Sequence, residues 1–350
     1  MAALPAPARS PAWISGLDED AAGRVWVSTQ HHRAAYCYDP RTRRLAAVAA
    51  PSGQPQSVTV ALPPDRRAVY LNFAIDGLFR YDSATARLHP LLPGQPGTRR
   101  QRETLADARG RIWYGWLSGS LERLDLATGA VADLGRGLPF VGNLQSTFLD
   151  RTGTVWLGTQ NGLFQFREPG QRFRRLLTQP PDTAVTRRYS TRGLLELPDG
   201  HWLVASYRGI LRVDPARGAV ARTYPSITHD GRPLDLIGFA LLPDPDSAGR
   251  GVWVLSEGQG LLWLDLRTGR YRPTEPHPGA STRHGRALAR DAHGLLWAAG
   301  YEGLFTHDPR TRVTRLFADR RLRPRPATCT ATRWPGAGGC CGSAPTKACG

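Results

Sequence analysis

At 350 residues with 38 glycines, 29 prolines and a net charge of +17, the chain is long enough for a sizeable core and is punctuated like many short strands joined by turns. No apolar run reaches the roughly 18 residues of a membrane-crossing helix. The first 11 residues, broken by prolines, have no apolar core of a secretory signal. The charge invites a nucleic-acid reading, but its distribution argues against one. The sole lysine is Lys347, and arginines such as Arg41, Arg174 and Arg310 are scattered over repeat ends instead of gathered on one segment. That is the pattern of a solvated, arginine-decorated surface, to which acidic glycans could also be drawn.

A short phrase recurs seven times, at intervals of 43 to 51 residues, centred on Trp26, Tyr70, Trp113, Trp156, Trp202, Trp253 and Trp297. The first copy centres on Trp26, with Val27-Ser-Thr29 after it. The second is the weakest, with Tyr70 in the tryptophan place, and Asp76-Gly77-Leu78 restores the pattern. The third, Asp107-Ala-Arg-Gly110-Arg-Ile-Trp113, is a close match.

The fourth copy, Asp150 to Leu163, is the clearest. Leu144 to Leu149 suits a buried inner strand, and Asp150-Arg-Thr-Gly153 a turn whose aspartate accepts from the amides ahead of it. Val155-Trp156-Leu157 reads as a second strand with a tryptophan able to wedge between neighbouring units. Leu163 to Phe166 and Phe173 to Leu176 complete four strands. The fifth copy shortens the turn to Pro198-Asp199-Gly200, the sixth carries an insertion at Pro243 to Asp246, and the seventh returns to Asp291-Ala-His-Gly294. A period near 45 residues with a fixed aromatic predicts an all-β fold, a β-propeller of seven four-stranded blades. It spans residues 12–320, after an irregular leader over 1–11.

From 321 to 350 the text changes character, with four of the five cysteines (Cys329, Cys340, Cys341, Cys349) and the lysine. Their spacing fits neither a zinc site nor a disulfide framework. Read one base over, Cys340-Cys341 must encode leucine, and the junctions that follow permit Leu-Trp-Val-Gly-Thr-Asp-Glu-Gly-Leu. That is a further copy on the same period. Residues 321–350 are therefore expected to be an unstructured, frameshifted tail that truncates a longer array.

The phrase Asp-x-x-Gly-x-(Val/Leu/Ile)-Trp-x-(Gly/Ser)-Thr-x-x-Gly-Leu, as in Asp150 to Leu163, resembles the two-component regulator propeller repeat over residues of about 13 to 320. The resemblance implies the ligand-binding sensor region of a bacterial two-component or diguanylate cyclase signalling protein, periplasmic and followed by a transmitter. With no signal peptide, β-sandwich or output domain in the text, the chain reads as a truncated sensor, cytoplasmic if made as it stands.

No catalytic motif stands out, no cofactor or metal is expected, and the reading is non-enzymatic. His31 and His32 follow the second strand, where adjacent side chains diverge, so they read as turn residues rather than a metal pair. Cys37 in Tyr-Cys-Tyr reads as packing. Propeller topology gathers the loops between second and third strands at one channel mouth. There the candidates for a small polar ligand, such as an oligosaccharide, are His31, His32, Asn72, Asp76, Trp116, Ser118, Gln160, Asn161, Tyr207, Arg208, Glu257, Gln259, Tyr301 and Glu302. The alternative is a propeller enzyme of lyase or lactonase type acting from the channel, which needs metal ligands converging from several blades.

Overall fold

A computed structural model describes residues 13–94, 101–116, 121–134, 144–160, 162–167, 172–177, 190–207, 209–234, 236–274, 285–300 and 303–317. The expected leader over 1–11 and the expected frameshifted tail over 321–350 lie outside these residues. Apart from one 3-10 turn at Pro245–Ser247, the regular structure is all β, in antiparallel meanders of four strands.

The first meander is β1 (Trp13–Glu19), β2 (Val25–His32), β3 (Ala34–Asp39) and β4 (Arg44–Ala49). The second is β5 (Gln56–Ala61), β6 (Val69–Phe73), β7 (Gly77–Asp82) and β8 (Arg87–Pro93), and it joins the first in one eight-stranded sheet through β2 and β5. Four-stranded sheets follow. β9 (Gln101–Ala106), β10 (Arg111–Trp116), β11 (Leu121–Asp125) and β12 (Val131–Asp133) make one. β13 (Leu144–Leu149), β14 (Val155–Thr159), β15 (Gly162–Arg167) and β16 (Arg172–Arg175) make the next. Then come β17 (Thr191–Glu196), β18 (Trp202–Ser206), β19 (Gly209–Asp214) and β20 (Ala219–Tyr224). After them run β21 (Ile237–Asp244), β22 (Gly251–Glu257), β23 (Gly260–Asp265) and β24 (Tyr271–Pro273). The last sheet is β25 (Gly285–Arg290), β26 (Leu296–Gly300), β27 (Gly303–Asp308) and β28 (Val313–Leu316). In the fourth copy the inner strand begins and ends where the sequence placed it.

The turn phrase has a physical reason. Asp150 Oδ1 accepts from the amides of Thr152 and Thr154, closing the turn around Gly153 at φ +80°, while Asp150 Oδ2 accepts from the Trp156 indole at 2.8 Å. The same two-oxygen arrangement joins Asp20 to Trp26, Asp107 to Trp113 and Asp291 to Trp297. Each tryptophan is thereby fixed with its ring against the following meander. Trp26 meets Tyr81, Trp113 meets Phe166, and Trp156 meets Trp202 at 4.4 Å between centroids. Trp297 meets Tyr38 of the first meander, and one core cluster unites Ile14, Val27 and Tyr36 with Trp297 and Leu304.

The first strands of successive meanders pack side by side, β1 on β5, β5 on β9, and so on to β25, which packs back on β1. Their ends share one face. There Arg151 pairs with Glu196, Arg290 with Asp246, and Glu19 accepts from the amide of Ala292. Their beginnings share the opposite face, where Gly193 runs so close to the Phe239 carbonyl that a Cβ would meet it at 2.7 Å.

Many arginines are fasteners between meanders. Arg174 donates to the carbonyls of Pro215 and Ala216, and Arg222 to those of Leu266 and Arg267, in each case the third-to-fourth-strand turn of the next meander. This accounts for part of the scattered basic charge.

Candidate functional site

The face where the first strands begin carries the sequence candidates. His31 and His32 lie within β2 rather than in a turn. That strand is prolonged because Gln30 pairs with Trp13 of β1, and His32 then pairs with Gln56 of β5. His31 sits at φ 55°, which turns the strand end over, and His32 is half-buried, with Tyr36 Oη 3.3 Å from its Nδ1. Burial pushes the His32 imidazole below its usual pKa against the opposing pull of its bond with Ala34.

Asn72 is a correction to the loop assignment. It lies inside β6, is 1% exposed, and donates its Nδ2 to Thr104 Oγ1 of the third meander at 2.8 Å. The apolar run on either side of it pairs with β5 and β7 and carries the strand past the point where a turn was expected. Asp76 does sit in a turn, but its Oδ2 accepts from the Ser52 amide, the Ser52 hydroxyl and Gln56 Nε2. It ties one connection to its neighbour. Trp116 is the last residue of β10, Gln160 and Gln259 occupy turns, and Glu257 ends β22. Ser118, Asn161, Arg208, Tyr301 and Glu302 lie outside the described residues.

Two of the candidates, Tyr207 and Glu257, are brought into one cluster by residues that sequence reasoning missed. Arg192 of β17 donates to Tyr207 Oη at 2.8 Å and lies over that ring. Its guanidinium also stands 4.8 Å from the Phe239 centroid, and that of Arg286 stands 4.0 Å from the same ring. Arg286 in turn pairs with Glu257 at 3.7 Å. Three successive meanders thus place two guanidinium groups, two aromatic rings and a carboxylate together. No sequence spacing announces this, since the link is the lateral packing of β17, β21 and β25.

A second feature lies toward the opposite face. A half-open cavity of about 500 Å³ is lined by the second halves of β1, β5, β9 and β13 and the turns after β5 and β13. Asp18 opens into it, and the surrounding protein pushes its carboxyl up to about 6, with Arg66 pulling the other way. The side chain is itself exposed to this half-open cavity, so water there screens part of the desolvation that raises it.

Among the described residues no three His, Cys, Asp or Glu side chains gather as a metal site, and no helix is long and apolar enough to cross a membrane. Cys37 is buried, and burial pushes its thiol up to about 12.

No family model matches the sequence, and a search of characterised proteins finds no match by sequence. Solved structures do match in fold. The Streptogramin B lyase structure is 15% identical with a TM-score of 0.65, over 89% of this chain and 95% of its own. The extracellular domain of BT4673 from B. thetaiotaomicron, described as a one component system, is 16% identical with a TM-score of 0.51, over 91% of this chain and 51% of its own. PorZ, a surface component of the type-IX secretion system of Porphyromonas gingivalis, is 16% identical with a TM-score of 0.66, over 88% of this chain and 48% of its own. The chain thus spans about half the length of the BT4673 domain and of PorZ, and nearly all of the lyase. At these identities the likeness is one of fold, and the fold is propeller-like.

Proposed function

We propose that this chain is a seven-bladed, ring-closed β-propeller that senses a small polar ligand for a bacterial signalling receptor of the two-component or diguanylate cyclase kind. Its ring is taken as the seven meanders, closed where β25 packs on β1. The observation that carries the ligand reading is the cluster of Arg192, Tyr207, Phe239, Arg286 and Glu257 at the mouth where the first strands begin. The half-buried Tyr207 ring with charged donors and an acceptor, the two guanidinium groups seated on the buried Phe239 ring, suits a polyhydroxylated ligand such as an oligosaccharide.

The receptor setting draws on the repeat phrase and on the fold shared with the BT4673 extracellular domain. On this reading the protein works outside the cytoplasm, with a transmitter as its signalling partner. Binding would act by favouring one arrangement of propeller and partner, through a difference in affinity between two states.

The test is thermal stabilisation of the purified chain by an oligosaccharide library, with product analysis by mass spectrometry alongside. Stabilisation without turnover, lost in Arg286→Gln, supports the sensor. Turnover of a streptogramin B or a lactone, abolished by a chelator, replaces it with the lyase or lactonase reading.

A further inference from the structure

The cavity between β1, β5, β9 and β13 is a different place from the mouth cluster, since it is built from the ends of the first strands rather than their beginnings. We propose that it is a second small-molecule site, taking a neutral polyhydroxylated ligand of mono- or disaccharide size, with Asp18 as its acceptor and the Thr59–Thr104 hydroxyl pair as its donor.

The size fits. About 500 Å³ lies within the range of roughly 300–1,000 Å³ for small-molecule sites. Its polar groups are also unevenly committed. Asp150, at the rim, is used by its own turn and by Trp156, and Arg151 is paired with Glu196. Asp18 is different. It stands two residues before the Asp20 that closes the first turn, it is not part of that turn, and among the described residues its carboxylate has no hydrogen bond.

The donor follows from counting hydrogens. Thr59 Oγ1 and Thr104 Oγ1 lie 2.8 Å apart, and Asn72 Nδ2 donates to Thr104 Oγ1. Two hydroxyls carry two hydrogens, and their mutual bond uses one. Asn72 supplies its own hydrogen, so it takes up a lone pair and leaves the second hydroxyl hydrogen uncommitted. Both threonines line the cavity. Asn72 is therefore a positioning residue behind the wall, held there at 1% exposure with its Oδ1 otherwise unpartnered. Val60 and Leu105 also line it, with their side chains packed into the cores between meanders.

Charge decides between a sugar and an ion. The charged groups that face Asp18 across the cavity are Arg66, Glu103, Asp150 and Arg151. On the β25 side Arg290 pairs with Asp246, and Asp291 holds Trp297. Acids and bases nearly balance, so neither a free anion nor a free cation is favoured, whereas hydroxyls that both give and accept hydrogen bonds are. Ionised Asp18 is the better acceptor, and its raised pKa puts the change of state at about 6.

The experiment is titration calorimetry of the full chain with myo-inositol, glucose, galactose and cellobiose at pH 7.5 and pH 5. At least one probe should bind at pH 7.5 and bind several-fold more weakly at pH 5. Asp18→Asn should weaken it about tenfold and remove the pH dependence. Thr104→Val should weaken it comparably, and Thr104→Ser, which keeps the hydroxyl, should restore it. Melting curves confirm that each variant folds, and Asp18→Asn should melt no lower than the parent at pH 7.5. Failure of all four probes to bind, or binding that both Asp18→Asn and Thr104→Val leave unchanged, overturns the proposal. Oligosaccharide binding at the mouth is read separately through Arg286→Gln, so one site can fail without the other.

Discussion

The Trp156 indole donates to Asp150 Oδ2 at 2.8 Å while Asp150 Oδ1 holds the amides of Thr152 and Thr154. One carboxylate therefore shapes a turn and also aims the ring that packs the next meander. Removing it leaves a buried N–H without a partner and opens the turn. Asp150→Ala should destabilise the fold by roughly 2–4 kcal/mol, the sum of an orphaned donor and a lost charge-assisted pair. Asp150→Asn should cost less, because its carbonyl oxygen still accepts from one set of donors. Urea unfolding followed by tryptophan fluorescence measures both.

The sixth meander solves the same problem differently. Trp253 occupies the repeat's tryptophan place, yet its Nε1 is buried without a hydrogen-bond partner. Trp263, directly across the β22–β23 pair, donates instead to Asp244 Oδ2 at 2.8 Å. The extra residues after Asp244, with their 3-10 turn, move the aspartate out of reach of Trp253. Trp263→Phe should therefore cost about 1–2 kcal/mol more than Trp253→Phe, since only the first breaks a hydrogen bond. Equal losses in parallel denaturation curves would contradict this.

These two cases mark how far the sequence could be read. The turn phrase was legible because its partners are two to six residues apart, so Asp150, Gly153 and Trp156 announce strand, turn and strand directly. The swap from Trp253 to Trp263 was not, because the partner arrives from an adjacent strand. Asn72 is a polar residue inside the apolar run Leu71-Asn72-Phe73, and only the pairing of β6 with β5 and β7 shows that it is buried in a strand and not in the expected loop. The contact of Arg192, Phe239 and Arg286 spans three meanders. The Asp18 cavity draws on four first strands at once. Both depend on lateral packing, which a period along the chain reveals only as repetition.

The arginine fasteners predict an unusual response to salt. Arg174 and Arg222 donate to neutral carbonyls of the next meander, so the bonds are local and directional rather than long-ranged. Arg174→Ala and Arg222→Ala should each cost roughly 0.5–1.5 kcal/mol, and the loss should change little with salt. Arg151→Ala, which removes the pair with Glu196, should cost less as salt rises, because that exposed ion pair is screened. Denaturation midpoints of the three variants at low and high sodium chloride separate the classes.

Asp18 gives the protein a pH dependence of defined sign. Its folded pKa of about 6 lies above the ordinary value of 3.8, so the folded state holds this proton more tightly than the unfolded chain. The stabilisation is fully present below pH 3.8 and is lost as pH rises through about 6. His32, His229 and His307 act in the opposite sense. Burial lowers each, so their contribution is present above the usual histidine value of 6.5 and is lost as pH falls through the folded pKa. Comparing the parent with Asp18→Asn cancels the histidines, which both proteins share. The melting temperature of Asp18→Asn relative to the parent should be flat below pH 3.8, climb between there and pH 6, and level off above. Solvent in the cavity keeps the climb small. A relative stability that falls over that window would place Asp18 in a stabilising ion pair with Arg66 instead of a desolvated site open to ligand.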